Sequence, residues 1–250
     1  MDLSITNNHS YLRSALLITL LSILVAGLSS PSEAKPWSGW SERKFEKTII
    51  SIDKDINRKR WETVAKRSQK ALPQCVELYS ERALTCIFIL RNINQSYEKM
   101  FVFNPNSQQI EKAYRLSTEV LGETHFTTNS ARDYYYKYLI FTESYAAAIP
   151  VVKEFIEIER NSRNDAYQLM ERYKQLSALE GLTENWVAEE SALNMVMELA
   201  RDVLGEESED FKAAVETLAE NYCTQKKYYE YFELIKAEQQ EINCFSGPKS

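Results

Sequence analysis

Apolar residues along this chain recur at helical spacing, in stretches separated by short polar breaks. Phe211, Val215, Leu218 and Tyr222 fall at i, i+4, i+7 and i+11, one face of an α-helix. A polar break at 225–227 follows, after which Tyr228, Phe232 and Ile235 resume the pattern. That is a helix, a tight turn and a second helix. Upstream, Trp186 opens a run holding Leu193, Val196 and Ala200 that closes at Val203-Leu204-Gly205, where glycine suits the left-handed position that ends many helices. Ser208 or Glu209 begins the next helix, with acids in its first turn where the helix dipole favours them. The same breaks predict helices at 42–58, 61–78, 81–99, 107–121, 125–140, 145–161, 164–180, 184–204, 208–225 and 228–243.

The pattern also repeats. Shifted by 83 residues, 116–138 lies over 199–221, and both carry Val-Leu-Gly-Glu, at Val120–Glu123 and Val203–Glu206. Aromatic residues stand at Trp61, Phe103, Tyr145, Trp186 and Tyr228, with spacings of 42, 42, 41 and 42. Units of this length bury little alone and share a continuous core with their neighbours. Tyr145 is followed five residues later by Pro150, and Phe103 and Trp186 each by Val-Leu-Gly at +17 to +19. On these residues the chain resembles the 42-residue tetratricopeptide repeats typified by kinesin light chain. The family's small residue nine before the aromatic is matched by Ser177 and Ala219 but not by Tyr136 or Ile52. Asn104-Pro105-Asn106 delays the helix after Phe103 to about Ser107.

The resemblance implies an all-α fold, a right-handed α-solenoid of about five helical hairpins whose first helices line a concave groove. Residues 35–102 would form divergent hairpins, 103–243 the clearer repeats and 244–250 a tail. It implies a protein or peptide partner, with the groove lined by Ser130, Asp133, Lys137 and Ile140 in the third hairpin. In the fifth hairpin Ala213, Glu216, Glu220 and Cys223 take those places. The Asn and Lys/Arg set that grips a terminal carboxylate in some family members is absent. The repeat template also sets a turn near 79–81, so Cys75 and Cys86 could face each other across it within disulfide reach. Cys244 lies 18 residues past the turn after Cys223, some ~25 Å away along a continuous last helix, so a bond between those two would require that helix to be wrong. Their state is open, as is the reading of all four as buried small hydrophobes.

Composition supports helices: six Gly and six Pro in 250 residues are too few for a fold with many tight turns. Arg13, the apolar run 15–28 and the small residues Ser32 and Ala34 before Lys35 read as an export signal over 1–34. Asp2 is atypical of such a leader, and an uncleaved anchor is the alternative. Cleavage leaves no apolar run long enough to span a membrane and implies a periplasmic or secreted chain. Loss of Asp2, Glu33 and Arg13 takes the net charge from −6 to −5, which argues against nucleic acid.

Catalytic signals are sparse. His125, the one histidine after the leader, falls in an inter-repeat turn and reads as structural. No nucleophile elbow, zinc-protease, phosphate-loop or dinucleotide motif is present, and no C-x-x-C pair points to a metal. No cofactor is expected. Acid pairs such as Glu189-Glu190 and Glu206-Glu207 read as solvated faces or first-turn acids. In Asp133-Tyr-Tyr-Tyr-Lys-Tyr138, Tyr135, Tyr138 and Leu139 are expected to pack inward and Tyr134 to be more exposed. The expected function is an exported, non-enzymatic interaction or scaffold module. The alternative is a structural accessory subunit of a cell-envelope assembly.

Overall fold

The computed structural model describes residues 40–161, 165–238 and 244. The leader expected over 1–34 and most of the tail lie outside them. Among the described residues there are ten helices and no strand: α1 (Glu42–Asn57), α2 (Trp61–Tyr79), α3 (Leu84–Lys99), α4 (Ser107–Leu121), α5 (Phe126–Phe141), α6 (Tyr145–Asn161), α7 (Ala166–Leu182), α8 (Trp186–Leu204), α9 (Glu209–Thr224) and α10 (Tyr228–Ala237). Each packs on the next along the chain, and α3 also meets α5. The core is accordingly serial: one cluster under α1–α3, a second joining α3–α5 and a third running from α5 to α9.

The five turns within hairpins share one backbone solution. Lys59, Phe101, Glu143, Glu184 and Lys226 sit at φ 54 to 60°. In each, the next amide reaches back to the helix it leaves, as Arg60 N–H to Asp55 C=O (2.9 Å), Ser144 to Leu139 (2.8 Å) and Lys227 to Tyr222 (2.8 Å). These are Schellman closures that satisfy carbonyls a helix end would otherwise orphan. None uses glycine, and each lies two residues before an aromatic of the periodic series. The turns between hairpins differ: Gly122 (φ 87°) and Gly205 (φ 85°) end α4 and α8, and Ser80 (φ 106°) ends α2.

Two expectations are corrected. The last helix ends at Ala237, not 243. Cys244 is disulfide-bonded to Cys223 with Cα atoms 5.6 Å apart, and its amide donates to the Tyr231 hydroxyl (3.3 Å). A helix through 243 would have carried Cys244 far from that partner, so the bond and the early stop belong together. In the tyrosine run, Tyr134 is the buried member, 3% exposed, while Tyr135 and Tyr138 are half-buried. The hydroxyl of Tyr134 finds a donor in the Asn104 amide (3.0 Å), which offsets the cost of its burial. Cys75 and Cys86 are bonded across the α2–α3 turn, Cα atoms 5.6 Å apart.

Candidate functional site

The α3 and α5 faces border a cavity of about 370 Å³ lined by Ile56, Arg91, Asn94, Gln95, Glu98, Ala113, Phe126, Ser130, Ala131 and Tyr134. Its walls are fixed from behind. Arg132 on α5, with no exposed side-chain surface, donates to Glu154 on α6 (2.9 Å), to Asn129 Oδ1 (2.9 Å) and to the Glu123 carbonyl (3.1 Å). A buried guanidinium this well partnered locks α5 against α6, because leaving it uncompensated would be costly. At the cavity's other end the Asn104 amide group donates to Asn94 Oδ1 (2.9 Å) and Gln109 Oε1 (3.1 Å), tying α3 to α4.

Arg91 is the unusual group. It is half-buried, and its guanidinium lies 5.1 Å from the Phe88 ring and 5.9 Å from the Phe126 ring. Its only hydrogen bond to a side chain among the described residues is to Asn92 Oδ1 (3.1 Å), its Nε is buried without a partner, and no carboxylate pairs with it. Burial pulls the guanidinium below its usual range, and Asp53 opposes that. An arginine remains charged under such a shift, so the cavity holds an under-coordinated cation beside two aromatic faces. Phe126 is 62% exposed and forms part of the rim.

Of the residues expected from the sequence, Ser130 lines this cavity, though its hydroxyl donates to the Phe126 carbonyl (3.0 Å). Asp133 and Lys137 sit one and two turns further along α5. They pair with each other (2.6 Å), and Lys137 reaches Glu98 on α3 (3.1 Å). Burial pulls Lys137 down, but bonds to Asp133 and Glu98 outweigh it and hold the ammonium above its usual range. The lysine is therefore a strut between neighbouring hairpins more than a free charge. Ile140 packs against the third core cluster. Glu216 and Glu220 are exposed on α9, away from the cavity.

Arg91 and its neighbours had a signal in the sequence. The offsets that select Ser130, Asp133, Lys137 and Ile140 before Tyr145 select Phe88, Arg91, Gln95 and Glu98 before Phe103. Three of those four line the cavity. His125 caps α5, its Nδ1 accepting from the Thr127 amide (3.2 Å). Glu189 and Glu190 are not simply solvated: Glu189 accepts from Asn221 (2.7 Å), and Glu190 from Gln225 (2.7 Å) and Lys227 (2.5 Å). They fasten α8 to α9 and the start of α10. Among the described residues no three His, Cys, Asp or Glu side chains converge as a metal site, and no helix is long and apolar enough to cross a membrane.

No family model matches the chain, and no curated protein matches it. Solved structures do match. A Podosopora anserina protein of nearly identical TPR-like repeats, described as a putative kinesin light chain, superposes with a TM-score of 0.51. The identity is 9%, over 78% of this chain and 93% of that one. The fold is TPR-like. BtubC (BKLC) from P. vanneervenii gives a TM-score of 0.47 at 12% identity, with 79% of each chain covered. At such identities the likeness speaks for the fold alone.

Proposed function

We propose that this chain is an exported, non-catalytic interaction module of the kinesin-light-chain type, holding a segment of a protein partner in the groove between α3 and α5. The observation that carries the reading is Arg91: a half-buried cation without an acid partner, in a cavity with aromatic walls. A partner's acidic side chain would complete it, since charge-assisted bonds to guanidinium are the strong ones. Ser130, Asp133 and Lys137 extend the groove along α5, whereas Ile140 packs on the core and Glu216 and Glu220 stand apart on α9. Export rests on the N-terminal segment 1–34 and accords with two disulfides, which persist in oxidising compartments.

Affinity capture from an envelope extract with cross-linking mass spectrometry tests this. The captured partner should link to α3 and α5, and Arg91→Ala should weaken it by roughly tenfold or more, about the loss of one charge-assisted hydrogen bond. Capture unchanged by Arg91→Ala would rule the groove out as the binding site. A second reading, an accessory subunit of an envelope assembly, is favoured by an apolar edge at the second and third hairpin turns. Phe101 is 96%, Val102 51% and Phe141 69% exposed there, and interfaces rather than solvent suit such groups. That reading expects co-purification with a membrane complex that depends on Phe101 and Phe141 and not on Arg91.

A further inference from the structure

Charge is distributed unevenly between the two ends of the chain. Residues 35–70 hold eleven bases and five acids, net +6, whereas residues 71–250 hold eighteen bases and 29 acids, net −11. The positive charge is also sorted by face. At about 100° per residue, Lys44, Lys47, Ser51 and Arg58 fall within roughly 60° of one another around α1. Glu42, Glu46 and Asp53 fall together on the opposite side. Asp55, the one acid near the basic face, is buried and engaged by Arg67 (2.5 Å).

Between α1 and α2 this basic face frames a shallow cavity of about 360 Å³ whose lining includes Trp40, Lys44, Lys47, Arg67 and Lys70 and no acidic residue. Lys44 lies over the Trp40 ring at 4.7 Å. Lys47 and Lys70 are exposed and make no ion pair among the described residues. Hairpin α1–α2 thus carries surplus positive charge with an aromatic residue at its edge, on an otherwise acidic molecule.

We propose that this basic face docks on the anionic headgroups of a lipid bilayer. Two features favour a membrane over other polyanions. If the apolar run 15–28 is retained as an anchor, the alternative to its cleavage, the twelve residues from its end to Trp40 can reach no further than about 40 Å from a bilayer that holds the run. The net −11 of the remaining chain would be repelled from any extended polyanion it lay along, while a flat anionic surface met end-on needs only the first hairpin. The solenoid would stand away from the membrane with the α3–α5 groove free, so this inference does not depend on the groove having a partner.

The test is flotation of the full chain with vesicles of phosphatidylcholine alone and of phosphatidylcholine mixed with phosphatidylglycerol. The apolar run contributes to both, so the basic face is read as the increment on anionic vesicles. Lys47→Gln with Lys70→Gln should reduce that increment about fivefold per charge, roughly 25-fold together, and added salt should remove it. Lys99→Gln with Lys236→Gln makes the same change in net charge elsewhere and should leave the increment intact. Equal binding to both vesicle types, or equal losses in the two double variants, overturns the proposal. So does abolition by inorganic phosphate at matched ionic strength, which would mean a soluble-anion site. Binding of a duplex oligonucleotide that competes the chain off anionic vesicles would reassign the face to nucleic acid.

Discussion

The α2–α3 and α8–α9 junctions follow the same backbone path by different means. At α8–α9 the helix ends on Gly205, at φ 85° and ψ 162°, and α9 starts on Ser208, whose hydroxyl accepts from the Phe211 amide (3.2 Å). At α2–α3 the equivalent residue is Ser80, at φ 106° and ψ 157°, and α3 starts on Ala83 with no side-chain cap. That φ/ψ region is nearly closed to residues with a Cβ and costs of order 1–3 kcal/mol. A disulfide stands where the later junction has packing: Cys75 and Cys86 align with Ala200 and Phe211, all four buried. One junction is held by local backbone chemistry, the other by a covalent bond that keeps an ill-suited turn in place.

Losing the disulfide should have the greatest effect. Replacing both cysteines, Cys75→Ala with Cys86→Ala, should cost about 2–4 kcal/mol in urea unfolding, the range for links that close short loops. Because solenoid stability is a sum of neighbour interfaces, the loss should be local, with amide exchange rising in α1 and α2 before α8 and α9. Uniform exchange across all ten helices would mean that the first junction is no weaker than the last.

Next in size is the turn residue itself. A Cβ at Gly122 or Gly205 would meet no atom within 4 Å, so substitution there probes the backbone alone. Gly205→Ala should destabilise by about 1–3 kcal/mol, and Ser80→Gly should stabilise by about 1 kcal/mol. In the cysteine-free background Ser80→Gly should restore part of the lost stability. A neutral Ser80→Gly would show that this turn carries no strain.

The same contrast explains how much of the molecule could be read from sequence. Val-Leu-Gly at 120–122 and 203–205 marks two junctions plainly, and the aromatic series places every second helix. At the first junction the run is Glu77-Leu78-Tyr79-Ser80, so the glycine that would announce the repeat is missing although the turn is there. Polar breaks place the turns within hairpins, but not their backbone: Lys59, Phe101, Glu143, Glu184 and Lys226 adopt a left-handed conformation that glycine would have flagged. Nothing in the apolar spacing marks the end of α10 at Ala237 or the bond from Cys244 to Cys223. In the groove, residue types were legible and their engagement was not. Lys137 looks like a free contact until Glu98, 39 residues earlier, is seen to hold it. Arg91 becomes notable because neither Glu98, in the same cavity, nor Asp53 forms an ion pair with it among the described residues, which spacing cannot reveal.

The smallest expected effect concerns the caps. Ser208→Ala removes a side-chain acceptor from the start of α9 and should cost about 1 kcal/mol. The reciprocal change, Ala83→Ser, offers α3 the cap it lacks, and the backbone already suits it: Ala83 lies at φ −65° and ψ 137°, close to Ser208 at φ −68° and ψ 148°. The gain should nevertheless fall short of the loss. The Cys86 amide, which corresponds to that of Phe211, already reaches the Ala83 carbonyl at 2.9 Å, so a new hydroxyl would compete with an existing bond. Thermal unfolding of the two single variants should therefore show Ser208→Ala moving the midpoint down by more than Ala83→Ser moves it up. Equal and opposite shifts would mean that the backbone contact at Ala83 contributes nothing, and that the first junction lacks a cap for want of a single hydroxyl.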